Sequence, residues 1–300
     1  MSFEDNCVKE TDIPNDLKKL KDEYKLFRDY LVELYSKINY SVKSSIKSPI
    51  NTVVGGLLKE AIELLDGIYI LSSNYSVKNV VLLLRKLFEI YLQIIFILIE
   101  KDKAEEKALI YILKNDKLVF SDEKWIAHCS SIKKESKYLG VDISIVKNCI
   151  EKVNNNNRTY NWFNVYDNKL KRFNNVSEEL DTINPNGIFN SLKNKDIYNK
   201  IYNICSREDH GHLIFSDLIN NTYFFRNPMY SSSFFLLCSI FVEIISNFII
   251  DYYLVGYEKE HMLEILNKNT ANNLKKNKIF NEADRILIHN LKIIEKKLNK

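Results

Sequence analysis

The residue types that do acid–base and charge-stabilising chemistry are densest between Tyr198 and Leu213, Y-N-K-I-Y-N-I-C-S-R-E-D-H-G-H-L. Arg207, Glu208, Asp209, His210 and His212 fall within six positions there, and two of the five histidines of the chain are among them. The stretch ends an amphipathic run. If it is helical, Tyr202, Ser206 and His210 stand four apart on one stripe, a row of polar groups that is costly to bury without a purpose. On an ideal helix Arg207 and His210 lie about 60° apart and Arg207 and His212 about 140°. That favours His210 as the partner of Arg207, unless the helix stops at Gly211 and the turn brings His212 back. Cys205, beside Ser206 and Arg207, reads either as a nucleophile or as a buried spare thiol.

Two further groups of charge sit in apolar surroundings. Arg85 and Glu89 lie four apart within V-V-L-L-L-R-K-L-F-E-I-Y-L-Q-I-I-F-I-L-I, which reads as a helix beginning after an N-cap at Ser76. They read either as an intrahelical ion pair on a partly exposed edge or as a polar wall inside a bundle. Glu243, Asn247 and Asp251 repeat at fours in a second apolar helix, which Ser231 to Ser233 are expected to cap. Charges inside both runs, and a charge-free piece of only Ile90 to Ile99 in the first, argue against membrane spans, which need about 20 apolar residues.

The elements that would position these groups are helices. With 7 glycines and 4 prolines in 300 residues and 46% hydrophobic content, the chain lacks the turn chemistry of a many-stranded fold and can bury a large core. Residues 1–50 are expected to hold an N-terminal amphipathic helix, running from Leu17 to about Ile46. Residues 51–255 are expected to form the helical-bundle core and 256–300 a charged helical tail. Within the core, Gly55-Gly56 opens a helix to about Ser72, and Lys103 to about Tyr138 is helical with a break near Asn115-Asp116. Residues 154–194 form an irregular connection with short helices around Trp162 and Leu180. The class is all-α, a multi-helix bundle with two central apolar helices and peripheral amphipathic ones.

The net charge of +4 demands no large basic face, because residues 256–300 hold ten Lys/Arg against six Asp/Glu and residues 1–255 are neutral. Five scattered cysteines and an N-terminus without a basic-then-apolar leader lead us to expect reduced thiols and a cytoplasmic location. Glu258-x-x-His261 has the spacing of half a di-iron site, but there is no second copy, and no zinc spacing, phosphate loop or nucleophile elbow is present. No metal and no cofactor are expected.

Arg207-x4-His212 resembles the R-x(4–6)-H pattern of the HEPN ribonucleases, small helical bundles, commonly dimers, of toxin–antitoxin and phage-defence systems. The resemblance implies that Arg207 stabilises a pentavalent phosphate and that His212 or His210 moves the proton from the 2′-hydroxyl or to the leaving oxygen. The residue after the arginine, often Asn, Asp or His in that family, is Glu208 here. Arg85-x-x-x-Glu89 in an apolar helix, then Trp162, then Tyr202-x-x-x-Ser206-x-x-x-His210-Gly211, is similar to a widespread bacterial domain family of unknown function. That likeness spans about residues 55–255, and the family's histidine corresponds to His210.

The expectation is a HEPN-like, metal-independent endoribonuclease or toxin. It acts on RNA as a homodimer, off the membrane, with a neutralising partner protein. Arg207, His210, His212, Glu89 and Arg85 form its site, and Tyr202, Ser206, Asp209 and Glu243 support it. The competing reading is a non-catalytic interaction module whose polar network fixes helix register, Glu89 or Glu243 accepting hydrogen bonds from His210 and Arg207.

Overall fold

The computed structural model describes residues 24–25, 28–38, 48–73, 77–156, 161–183, 194–196, 198–199 and 228–273. Among them there are helices and no strands, and the chain is an all-α bundle. We number the helices α1 (28–38), α2 (Pro49–Ser73), α3 (Val77–Leu98), α4 (Ala104–Val119), α5 (Asp122–Leu139), α6 (Ile143–Asn155), α7 (Trp162–Tyr166), α8 (Phe173–Ile183), α9 (Pro228–Tyr253) and α10 (Gly256–Asn273). Residues 194–196 and 198–199 are helical as well.

The apolar helix α3 is the centre. Every residue from Ile90 to Leu98 is buried, including Gln93, so its isoleucine-rich sequence is held helical by its neighbours more than by intrinsic propensity. Helices α2, α4, α8 and α9 cover it. Phe88 and Tyr91 pack on Phe241 of α9 at 4.9 and 5.3 Å between ring centres, and Phe96 meets Trp162, Phe163 and Tyr166 of α7 edge-on at 5.3–5.7 Å. Each such ring, fully buried, contributes about 1.5–3 kcal/mol. Where α2 meets α3, a Cβ on Gly67 would stand 2.9 Å from Leu83 Cδ1, a side-chain tip that would have to shift. No helix among the described residues is long and apolar enough to cross a membrane.

Three boundaries differ from the sequence expectation. Helix α2 begins at Pro49, with Gly55 and Gly56 inside it. The Ser48 carbonyl accepts the first helical bond from Thr52 N at 3.1 Å, and proline at the first helical position gives up an N–H that has no acceptor there. The break between α4 and α5 falls at Phe120-Ser121 instead of Asn115-Asp116, because Phe120 is extended and Ser121 precedes the acidic first turn Asp122-Glu123. Helix α9 begins at Pro228, so Ser231 to Ser233 lie within its first turns.

Lys107 of α4 has no exposed surface, yet it carries an ammonium group. Its Nζ donates to the Phe96 carbonyl in the last turn of α3 at 2.7 Å and to Glu100 Oε2 at 2.8 Å, and it lies 4.2 Å from the Phe96 ring centre. Burial pushes the Lys107 amine below the ordinary lysine range, opposed by its bond to Glu100. Hydrogen bonds from Lys103 and then Lys107 hold the Glu100 carboxyl below its ordinary value.

A depressed carboxylate stabilises the fold above the ordinary glutamate pKa and loses that contribution as pH falls through the folded value. A depressed lysine opposes folding while it is charged and is relieved as pH rises toward the ordinary lysine range. Denaturant titrations should therefore show stability dropping below about pH 4.5 in the parent and dropping less in Glu100→Gln. At pH 7 that variant should be about 1–3 kcal/mol less stable, because it leaves Lys107 without its counter-ion.

Candidate functional site

Of the residues singled out in the sequence, the structure describes Arg85 and Glu89 most fully. They sit on α3, with Arg85 Nε donating to Glu89 Oε1 at 3.2 Å, and they keep 30% and 18% of their side-chain surface exposed. This is the intrahelical pair on a partly open edge. Arg207, His210, His212, Tyr202, Ser206, Asp209 and Cys205 lie outside the described residues. Glu243 is on α9, and its side chain is outside them too.

The beginning of the 198–213 stretch is described, and it lies against α3. The ring of Tyr198 stands 6.3 Å from that of Phe88, the residue before Glu89. One turn earlier, Asn194 Oδ1 accepts a hydrogen bond from Tyr91 OH at 2.7 Å. Asp181 of α8 holds the same point from the other side. Its Oδ1 accepts from Asn194 N and Nδ2, both at 2.8 Å, and its Oδ2 accepts from Lys195 N at 3.0 Å. Asp181, Asn194 and Tyr91 are all buried, and burial raises the Tyr91 hydroxyl pKa. An ion pair between Lys195 and Glu178 closes the arrangement at the surface.

The stripe on α9 divides. Asn247 is half-buried, whereas Asp251 is exposed and pairs with Lys259 at 2.7 Å, so Asp251 belongs to the surface. Glu258 and His261 are exposed, His261 stacks on Tyr257, and no three potential metal ligands come together among the described residues. His128 is half-buried and bonds Asp116 Oδ2 through Nε2 at 2.8 Å, tying α5 to α4.

Sequence reasoning did not single out Asp181, Asn194, Tyr91 or Lys107. Ser177 and Asp181, four apart on the buried side of α8 with Val176 and Leu180, were the legible sign of a polar contact there. Lys107 reads in sequence as one more charge of A-E-E-K, and Asn194 gave no sign, since its role depends on a partner over a hundred residues away.

Over residues 51–222, more than half of its length, the chain matches a family of unknown function (DUF5677). The chain belongs to this family. No curated protein and no solved structure matches it. The DUF5677 match takes in α2 through α8, the Arg85–Glu89 pair, the Asp181–Asn194–Tyr91 contact and the whole 198–213 stretch, and it stops before α9.

If Arg85–Glu89 is only the edge pair its geometry describes, Glu89→Gln should lower stability by under about 1 kcal/mol in urea titration. A loss of about 3 kcal/mol or more would show that the carboxylate carries further buried partners.

Proposed function

We propose that this DUF5677 protein is a HEPN-like, metal-independent endoribonuclease of the toxin type, acting as a homodimer in the cytoplasm, with a second protein that restrains it. One observation carries the reading. The chain that runs on to Arg207 and His210 starts against α3, through the Tyr198–Phe88 contact and the Tyr91–Asn194 bond, within the two turns of that helix that also bear Arg85 and Glu89. The same helix carries a partly exposed arginine–glutamate pair, Arg85–Glu89.

In this reading Arg207 neutralises the phosphate charge, and His210 or His212 takes the proton from the 2′-hydroxyl as that oxygen attacks phosphorus. The 5′-oxygen leaves with a proton, so the products carry a 2′,3′-cyclic phosphate and a 5′-hydroxyl. Glu89 and Arg85 orient the histidine or the phosphate, while Tyr202, Ser206, Asp209 and Glu243 support the site.

The Asp181–Asn194–Tyr91 contact favours a second reading. There the bundle builds a satisfied polar network for register alone and serves as an interaction module.

Purified full-length protein incubated with RNA in EDTA separates the two. The nuclease should generate 2′,3′-cyclic phosphate ends, and Arg207→Ala and either His210→Ala or His212→Ala should lower the rate about 100-fold or more while leaving the thermal midpoint within a few degrees. Intact RNA in every buffer, with alanine variants destabilised by about 1–3 kcal/mol each, would establish the interaction module instead.

A further inference from the structure

We infer that Asp181 is a positioning residue. Through Asn194 and Tyr91 it fixes, against α3, the helical turn from which the chain runs on to Tyr202, Arg207 and His210. As a statement about catalysis this rests on the nuclease reading; as a statement about the fold it does not.

Asp181 binds the backbone of the 194–196 turn in the way an N-cap side chain binds the first turn of a helix. The first N–H groups of a helix have no acceptor within it and carry partial positive charge. Asp181 reaches over from α8 and accepts two successive backbone N–H groups, Asn194 N at 2.8 Å and Lys195 N at 3.0 Å, as a local Asp or Ser would from the N-cap position. Its Oδ1 also takes the Asn194 amide N–H at 2.8 Å, which turns the Asn194 carbonyl oxygen toward Tyr91 OH at 2.7 Å.

The three polar groups bond one another where water is excluded, so an apolar substitute could fill the space but could not select one register. Register is what the site needs. A slip of one residue at Asn194 would turn Tyr198 through about 100°, off Phe88 and away from the turn of α3 that bears Glu89.

Two variants probe this in the full-length protein. Tyr91→Phe removes a single hydroxyl and keeps the ring against Phe241, and Asp181→Asn turns one acceptor into a donor facing an N–H. Should Asp181→Asn fail to fold, Tyr91→Phe carries the test. Amide hydrogen exchange is read across the chain, and kcat and KM are read on RNA.

The expected result is exchange faster by about five-fold or more in residues 198–212, with α2 and the centre of α3 as protected as in the parent, the size of change that losing one buried hydrogen bond produces. In an RNA-cleaving parent, kcat should fall about ten-fold while KM stays within about two-fold, because misplacement removes alignment and spares binding. Unchanged exchange in 198–212 in a folded variant overturns the inference, and so does faster exchange with an unchanged kcat. If the parent does not cleave RNA, or Arg207→Ala cleaves as well as the parent, the nuclease reading falls. Exchange alone then decides whether Asp181 sets the position of this stretch.

Discussion

Helix ends are the demanding part of a bundle built with so few glycines, because each end exposes N–H or C=O groups without partners and glycine is the usual means of closing a C-terminus. At several ends this protein meets that demand with charged side chains from neighbouring helices, and their signs follow the helix dipole. At the start of α2, Glu105 of α4 accepts the Ser48 hydroxyl at 2.8 Å. At the start of the 194–196 turn stands Asp181. At C-terminal ends the partners are lysines: Lys107 on the Phe96 carbonyl of α3, Lys117 and Lys114 on Val153 and Asn156 at the end of α6, and Lys101 on Asp251 near the end of α9. Carboxylates lie at starts and ammonium groups at finishes. Each of these contacts closes a helix and docks it on a neighbour, so helix ends and helix packing cannot be changed separately.

That coupling explains how α4, a helix with seven polar or charged residues among its 16, can be central. It supplies Glu105, Lys107, Lys114 and Lys117, and so joins α2, α3 and α6 through their ends, while Lys152 of α6 answers with a 2.7 Å ion pair to Glu106. Burial raises the Glu105 carboxyl and lowers the Lys107 and Lys114 amines, the direction expected when dehydration is only partly offset by the groups capped. Helix α3 gains a fixed end from this and a cover from α2, α8 and α9. The DUF5677 match ends before α9, yet Phe241 of α9 closes the aromatic contact with Phe88 and Tyr91. The element that completes the core around α3 therefore lies beyond the matched region.

How much of this could be read from the sequence follows from the range of the interactions. Apolar periodicity and the scarcity of glycine and proline are local, and they gave the all-α class and the two apolar helices α3 and α9. Boundaries were less legible. Gly55-Gly56 and the serines at 231–233 are local stop and start signals that packing overrides, and the decisive proline in each case sits a few residues earlier, at 49 and 228. Caps supplied from a distant helix leave almost no local mark. Lys107 and Lys114 look in sequence like solvated charges on an amphipathic helix, and only the fold shows them buried. For the candidate site, the spacing of Arg85 and Glu89 correctly placed them as an i, i+4 pair, but whether that pair served chemistry or an edge depended on exposure.

Exposure also separates the polar groups of the bundle by task. Lys107 and Asp181 are buried and spend their hydrogen bonds largely on backbone groups, which leaves them little capacity for anything that arrives from solution. Arg85 and Glu89 bond each other through side chains and retain exposed surface on the turn of α3 that carries Phe88, the residue touching Tyr198. A phosphate or a neighbouring imidazole needs a charged group that can still exchange water for it, with its position set by rigid surroundings. On this bundle the buried caps hold α3 and the 194–196 turn in place, and Arg85–Glu89 is the ion pair of α3 that keeps part of its side-chain surface exposed.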